Sequence, residues 1–442
     1  MPPANPLDRF ARRLLAQYIQ RNFYRWDRAR LQAHHAARLK SLLAYAARRS
    51  PYYARLRKEG WDGTLNTLPV LSKREYIAHY DEINTAGLKS AELSSFAVQM
   101  ERAGKTALYQ GQYSVGLSSG TSGSKLITVL SRQERRNYSS LLFARSGIPE
   151  TVRNPRVLFA LRVNNPAFME TRALGITLVH IDYTHPAEEV AKLVNEMRLN
   201  VLAGPPSLLV MLARIRDRID HAIEGVISYA EVLDDSTRAE LEHTFGVRVA
   251  QIYQGAEGFI ASTCRAGRLH LNEDMLYIEA LAAGDSLGNA RTLVVTDLYR
   301  RAQPFIRYAM GDLVELSSTP CECGSCFCVV ERIHGRADDI FYLRGQNGEV
   351  RCLFPDYVTR SINQASDAIL EFQALQHSLD EIEIRLVLDD NSERPAVEQA
   401  IRANLAAWAE KAGGRLGRLT FSTQPPERNP NSRKLIRVVR RF

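Results

Sequence analysis

The chain has 442 residues, 45% of them hydrophobic and 24% charged, the balance of an ordinary globular protein. That length exceeds what one simple core organises, so one large unit and a smaller one are expected. No apolar run reaches the roughly 18 residues a membrane span needs, and no apolar stretch follows the first basic residues. Both observations argue against a transmembrane helix and a secretory leader and make a cytoplasmic enzyme the expectation.

The net charge of +9 is unevenly spread: residues 1–60 hold 14 Lys or Arg against 3 acidic residues, and the other 382 sum to −2. This basic arm reads as a solvated helix face, as an anionic-membrane contact or as a site for an acidic carrier protein. Nucleic acid is disfavoured, because no aromatic-interleaved basic motif accompanies the charge.

Within the arm, Leu7, Phe10, Leu14, Tyr18 and Phe23 or Trp26 recur at roughly helical spacing over 7–30. Leu31, Ala36, Leu39, Leu42, Leu43 and Ala46 do so over 31–49, and Ser50-Pro51 ends that second helix. Further on, Tyr113–Leu117 and Leu126–Leu130 flank the octet Ser118-Ser119-Gly120-Thr121-Ser122-Gly123-Ser124-Lys125. Strand, loop, strand is the expected layout. No core can be built from such an octet. Its glycines let backbone N–H groups approach a ligand and its hydroxyls add donors, which suits a polyphosphate. It is not a Walker A loop, because no glycine directly precedes Lys125 at the required spacing.

From residue 156 the texture alternates. Strands are expected at 157–163, 176–181, 200–203, 226–229 and 247–253, with helices at 188–198, 207–219 and 236–245. Alternation of this kind predicts a parallel sheet in an α/β domain, with ligands beyond the carboxyl ends of the strands. Gly204–Ser207 and Tyr253–Glu257 fall at such ends. A compact α+β unit is expected from Arg336 onward, with strands at 371–376, 381–388 and 418–422 and a helix at 395–411.

Three later segments join the octet: Tyr253-Gln254-Gly255-Ala256-Glu257, then Ile306-Arg307-Tyr308-Ala309-Met310-Gly311-Asp312, then Gly335-Arg336-Ala337-Asp338-Asp339. In order and at about its spacing, the series resembles the motifs of the adenylate-forming superfamily, in its phenylacetate–CoA ligase-like branch with the CapK-type and deazaflavin-adenylating relatives. Ser50-Pro51-Tyr52-Tyr53 and Leu68-Pro69-Val70-Leu71-Ser72-Lys73 extend the match toward the N-terminus, so it covers nearly the whole chain. The resemblance implies a large N-terminal domain over 1–335, including the arm, and a small lid over 336–442. It implies ATP-dependent adenylation of a carboxylic acid, then transfer of the acyl group to a thiol of CoA or a carrier protein. A nucleotidyltransferase leaving AMP on a hydroxyl is the rival, and a non-catalytic nucleotide-binding relative a third reading.

In this scheme Thr121, Ser122 and neighbouring N–H groups hold the β- and γ-phosphates, and Glu257 is a hard oxygen ligand for Mg²⁺. Gly255 and Ala256 leave room for the adenine plane, with Tyr253 beside it. Asp312 accepts from both ribose hydroxyls, Arg336 adds a ribose or phosphate contact, and Asp338 marks the hinge. Lys434, in Asn429–Arg437, is the expected lid lysine that bridges carboxylate and α-phosphate as charge builds. Two positions depart from the pattern: Met310 stands where threonine is usual, and Arg433 where glycine usually precedes the lysine. The acid pocket is expected along 201–207, 228–232 and the Tyr253 strand, sized for an aromatic or medium acyl group.

The six cysteines are Cys264, Cys321, Cys323, Cys326, Cys328 and Cys352. Tight clustering suggests metal rather than disulfides. Either Cys321, Cys323, Cys326 and Cys328 form an all-thiolate set, or Cys264, His270, Cys321 and Cys323 form a Cys₃His zinc site. Members of the resembling branch carry a metal site laid out like the second.

Overall fold

The computed structural model describes residues 6–103, 105–118, 126–161, 166–170, 174–183, 185–284, 287–366, 368–429 and 435–442. Six helices open the chain: α1 (Pro6–Arg25), α2 (Arg28–Arg49), α3 (Pro51–Lys58), α4 (Lys73–Ala78), α5 (Tyr80–Ile83) and α6 (Ser90–Arg102). Asp27 caps α2 by accepting from the Arg30 N–H at 2.7 Å. Ser50 ends α2 through its own N–H and also starts α3, its hydroxyl accepting from Tyr53 N, with Pro51 in the first turn. The sequence reading saw only the stop. Proline also favours a helix start, where its missing N–H costs nothing.

Strands β1 (Ser114–Leu117) and β2 (Ile127–Leu130) form an antiparallel pair on either side of the octet, as expected. Ser118 Oγ accepts from Leu126 N at 2.8 Å and closes the base of the loop. Residues 119–125 lie outside the described residues. Helix α7 (Arg132–Ala144) follows, started by a reciprocal Ser131–Glu134 capping box.

The α/β alternation then runs β3 (Arg156–Ala160), α8 (Pro166–Met169), β4 (Thr177–Ile181), α9 (Ala187–Glu196), β5 (Val201–Gly204), α10 (Pro206–Arg214), β6 (Gly225–Ser228), α11 (Asp235–Phe245) and β7 (Val249–Gly255). Two expected elements are shorter: β3 stops at Ala160, and α10 gives way to a 3₁₀ turn at Arg216–Arg218. Six more strands follow: β8 (Gly258–Thr263), β9 (Leu269–Leu271), β10 (Leu276–Ala282), β11 (Arg291–Asp297), β12 (Tyr308–Leu316) and β13 (Val329–Arg336).

These strands make one eleven-stranded sheet in the order β10-β11-β12-β13-β9-β8-β7-β6-β5-β3-β4. From β4 to β7 the pairing is parallel, and from β7 to β10 it is antiparallel. The expected parallel sheet is therefore half of a mixed one, and β7 is the seam. Helices cover both faces of the parallel half. Val190, Val194, Leu209, Leu212 and Leu241 pack on one, and Ile19 of α1 and Leu141 of α7 on the other. Burial on two faces explains why these strands read as unbroken apolar runs.

The last hundred residues form β14 (Phe341–Gly345), β15 (Val350–Leu353), α12 (Pro355–Asn363), β16 (Ile369–Ser378), β17 (Glu381–Leu388), α13 (Arg394–Lys411), β18 (Gly414–Arg415), β19 (Arg418–Ser422) and β20 (Val438–Arg440). They build sheets β15-β14-β18 and β19-β17-β16-β20. Phe341, Phe372, Ile384, Ile401 and Leu405 form a core of their own, drawn wholly from residues 341–438. Among the described residues no helix is long and apolar enough to cross a membrane.

Candidate active site

At the seam, β7 turns into β8 through a hairpin in which Gly255 pairs with Gly258, leaving Ala256 and Glu257 at the tip. The Glu257 carboxylate folds back over Gly255 so closely that a Cβ there would stand 2.2 Å from Oε2. Gly255 is thus required for the Glu257 rotamer. Arg300, which is buried, pins the tip by donating to Ala256 O at 2.9 Å.

Asp312 on β12 and Arg336 on β13 are register partners, with Arg336 Nη1 3.6 Å from Asp312 Oδ1. The Tyr253 hydroxyl donates to Asp312 Oδ2 at 2.6 Å. Strands β7 and β12 are four places apart in the sheet, which would be about 19 Å if it were flat. Only a strongly coiled sheet brings them together. Gly311 has φ +76°, and a Cβ there would lie 3.2 Å from Arg336 Nη2. Glycine before Asp312 therefore fits both the turn and the guanidinium.

These groups sense one another. Burial raises the Glu257 carboxyl, the Asp312 charge adds to the rise, and the Tyr308 hydroxyl and Arg336 pull the other way. Burial by itself would lower the Arg336 guanidinium, but Asp312, Glu257 and Asp338 more than offset it. Burial and the charge on Asp312 push the Tyr253 phenol up. Lys73, the first residue of α4, belongs to the same field: burial and the Arg336 charge lower its pKa, while Glu257 and Asp338 raise it. In the sequence, Lys73 had counted only as the end of the Leu68–Lys73 match, with no role at the site. A lysine directly after the capping serine of a short helix was the available signal.

Arg336 is the last residue of β13, and Ala337–Asp339 form a 3₁₀ turn beyond it. Arg440 donates to Asp338 O at 3.3 Å. The neighbouring Asp339 carboxyl is pushed up to about 6, chiefly by burial and further by Asp338, with Arg336 opposing.

The expected acid-pocket segments divide. Tyr229 is buried, its hydroxyl 2.9 Å from both Ala160 O and Ala203 O, so it braces the strands. Glu231 accepts from Ser207 Oγ at 3.0 Å and from Arg437 Nη1 at 3.1 Å. Arg437 thus docks the C-terminal segment on the large sheet. Lys434, within residues 430–434, lies outside the described residues; Arg428 and Leu435, on either side of that segment, pair as an isolated bridge. Beside this edge Phe159, Phe168 and Tyr138 form an aromatic group, with centroids 5.0 Å apart for Phe159–Phe168 and 5.9 Å for Tyr138–Phe168. The Tyr138 hydroxyl donates to Gln254 Oε1 at 3.1 Å, tying the group to β7.

Away from this site, Cys264, His270, Cys321 and Cys323 are buried with their ligand atoms within 4.8 Å of one another. Cys264 and Cys321 sulfurs are 3.8 Å apart, and Cys323 Sγ is 3.5 Å from His270 Nε2. A tetrahedron with Zn–S bonds of 2.3 Å and Zn–N bonds near 2.05 Å has edges of about 3.8 and 3.6 Å, so the set fits zinc. His270 Nδ1 lies 2.9 Å from Phe327 O, a contact that leaves Nε2 facing the sulfurs. The all-cysteine alternative is not assembled: Cys328 Sγ instead accepts from Arg28 at 2.9 Å.

No family model matches the chain. It is 25% identical over 393 residues to a phenylacetate–coenzyme A ligase of Thermus thermophilus, covering 82% of each protein. It is 26% identical over 241 residues to the protein CapK of Staphylococcus aureus, a match spanning about half of each chain, 52% and 51%. A crystal structure of 2-hydroxyisobutyryl-CoA ligase in the postadenylation state with 2-HIB-AMP superposes with TM-score 0.70 at 17% identity, over 95% of this chain and 91% of that one. The same ligase in the thioesterification state, with 2-HIB-AMP and CoA, superposes with TM-score 0.57 at 18% identity over the same shares. By sequence the chain is similar to a phenylacetate–CoA ligase and to CapK, and it shares its fold with an adenylate-forming CoA ligase.

Proposed function

We propose that this protein activates a carboxylic acid with ATP, giving acyl-AMP and pyrophosphate, and then passes the acyl group to the thiol of CoA. The observation that carries the reading is the union of Tyr253, Glu257, Asp312 and Arg336 at the sheet's seam, in a chain matched over 82% of its length by a phenylacetate–CoA ligase. Asp312, held by Tyr253 and faced by Arg336, would accept from the ribose hydroxyls. Ala256 and Gly255 present the flat backbone on which adenine would rest. Glu257 fits a magnesium ion, since a carboxyl raised by burial gains a counter-charge when one is bound. Bound Mg²⁺ supplies neutralisation of the triphosphate. The Ser118–Lys125 loop would cradle the β- and γ-phosphates, and Lys73 adds a nearby cation.

The carboxylate oxygen attacks the α-phosphorus, the bond to the bridging oxygen breaks, and pyrophosphate leaves. Lys434 would stabilise the charge as it builds. Thiol transfer would then need residues 336–442 to turn about Asp338. The aromatic group of Phe159, Phe168 and Tyr138 favours an aromatic or medium acyl acid. A pyrophosphate-release screen over aromatic and aliphatic acids tests the reading. Release dependent on one class of acid supports it, and no acid-dependent release contradicts it.

The cysteine–histidine set would hold a structural zinc that ties the strand after the Glu257 hairpin to the segment after Asp312. About one zinc per chain is expected, lost in Cys264→Ser and Cys323→Ser and kept in Cys352→Ser. Metal kept in Cys264→Ser would refute the assignment.

A further inference from the structure

The outward face of α1 is unlike any other surface of the described residues. Leu7 is 76% exposed, Phe10 62%, Leu14 49% and Tyr18 53%. They follow one another at three- and four-residue steps, so they form a single ridge, and Arg21 and Arg25 continue the same line. From Leu7 to Arg25 the ridge is about 27 Å long. Arg13 stands to one side of it, with its guanidinium donating to Leu174 O at 3.3 Å. The one acidic residue of the helix, Asp8, is already matched, with Arg12 Nε at 2.7 Å and Arg136 Nη2 at 3.1 Å. Ile19, Phe23 and the buried Arg12 on the opposite face anchor the helix to the body.

We propose that α1 docks this protein on an anionic phospholipid surface, with Phe10, Leu14 and Tyr18 entering the headgroup boundary and Arg21 and Arg25 meeting lipid phosphates. An amphipathic helix lying in the interface combines such an apolar stripe with flanking cations. A second copy of the chain is a poorer occupant. Pairing two ridges would bury Arg21 and Arg25 of each copy with no unmatched acid on the face to meet them. The ridge is also convex, and headgroups can part around a ridge where a folded partner would have to offer a groove. This inference does not depend on the ligase reading.

The test is co-sedimentation of the full-length protein with vesicles of phosphatidylcholine alone, or mixed with phosphatidylglycerol. Binding is expected to the anionic vesicles only, falling more than about tenfold between roughly 0.05 and 0.5 M salt as the Debye length shrinks. Arg21 and Arg25→Glu together should lower it more than about tenfold. Phe10, Leu14 and Tyr18→Ser together should do the same with the charge intact. Both variants alter exposed residues remote from the seam and should keep acid-dependent pyrophosphate release, which serves as the folding control. Equal binding to neutral vesicles, or no sedimentation with either, overturns the proposal. So does a concentration-dependent dimer that the Ser variant abolishes, or capture of an acidic carrier protein without vesicle binding.

Discussion

Two segments are docked on the same sheet by opposite means. The N-terminal arm is held by a buried junction. Ile19, Phe23 and Trp26 are buried, and Arg145 lies over the Phe23 ring at 4.7 Å. Arg145 donates to Ile19 O and makes a two-pronged ion pair with Asp274, whose side chain is 3% exposed against 2% for Arg145. The C-terminal unit keeps most of its apolar groups in its own core and meets the body mainly through polar contacts, beside a buried contact at β13 where Phe354 stacks on His334 at 4.4 Å and Asp356 lies 3.2 Å from it. Arg360 reaches Asp235 at 2.6 Å with the aspartate 77% exposed, Arg437 reaches Glu231 at 3.1 Å, and Arg214 donates to Ile369 O at 3.1 Å. Exposed pairs contribute about 0–1 kcal/mol each and can be exchanged for water. Away from the His334 contact, the C-terminal unit is therefore held by pairs more exposed than those that hold the arm. Under the proposed two-step reaction, such a contrast would suit a unit that turns while the arm stays in place.

The largest expected effect breaks the buried junction. Arg145→Ala leaves Asp274 buried without its counter-charge and should destabilise the protein by about 3–5 kcal/mol in urea unfolding. A change below about 1 kcal/mol would mean the arm is not anchored there.

On the C-terminal side the chemistry should respond more than the stability. Lys434→Ala should slow adenylation about 10²–10³-fold, the usual consequence of losing one preorganised charge. Thiolysis of preformed acyl-AMP should change little, and equal losses in both steps would refute the assigned role.

Arg437→Gln sharpens the contrast further. It removes the Glu231 contact and should lower adenylation about tenfold, which is about 1.4 kcal/mol in the barrier. Unfolding stability should move by less than about 1 kcal/mol, and thiolysis should be spared. Loss of thiolysis as well would show that the contact serves both states.

The smallest effect is a pH dependence at the turn between the two units. The Asp339 carboxyl is raised from 3.8 to about 6 in the folded protein, mainly by burial. The folded state therefore holds this proton more tightly than the unfolded chain does. The contribution is full below pH 3.8 and is lost progressively as pH rises to about 6. Asp339→Asn should flatten that slope, which solvent screening keeps to the order of 1 kcal/mol. A slope unchanged in Asp339→Asn would assign it to another group.

Much of the parallel half was legible because its strands are buried on both faces and stand as short apolar runs between amphipathic helices. The antiparallel half was not. Strands β8 to β13 follow one another through hairpins and loops without intervening helices, and β9 has only three residues. Short alternating runs of that kind look like loop. The motifs located Tyr253, Glu257, Asp312 and Arg336 in the chain, yet nothing in their spacing tells that the Tyr253 hydroxyl reaches across the coiled sheet to Asp312. Glu231 and Arg437 escaped notice for a related reason. A single Glu or Arg carries no pattern, and 206 residues separate the two. The cysteines were the reverse case, since their chemistry alone narrowed the choice to two sets and geometry selected one.

The central claim is that this chain joins an acid to AMP before a thiol receives it. The most direct measurement incubates the protein with ATP, Mg²⁺ and an acid selected by pyrophosphate release, with CoA left out, and identifies the products by mass spectrometry before and after CoA is added. The account predicts an enzyme-bound acyl-AMP that converts to acyl-CoA and free AMP when the thiol arrives. An AMP adduct on a hydroxyl that CoA cannot discharge would contradict it.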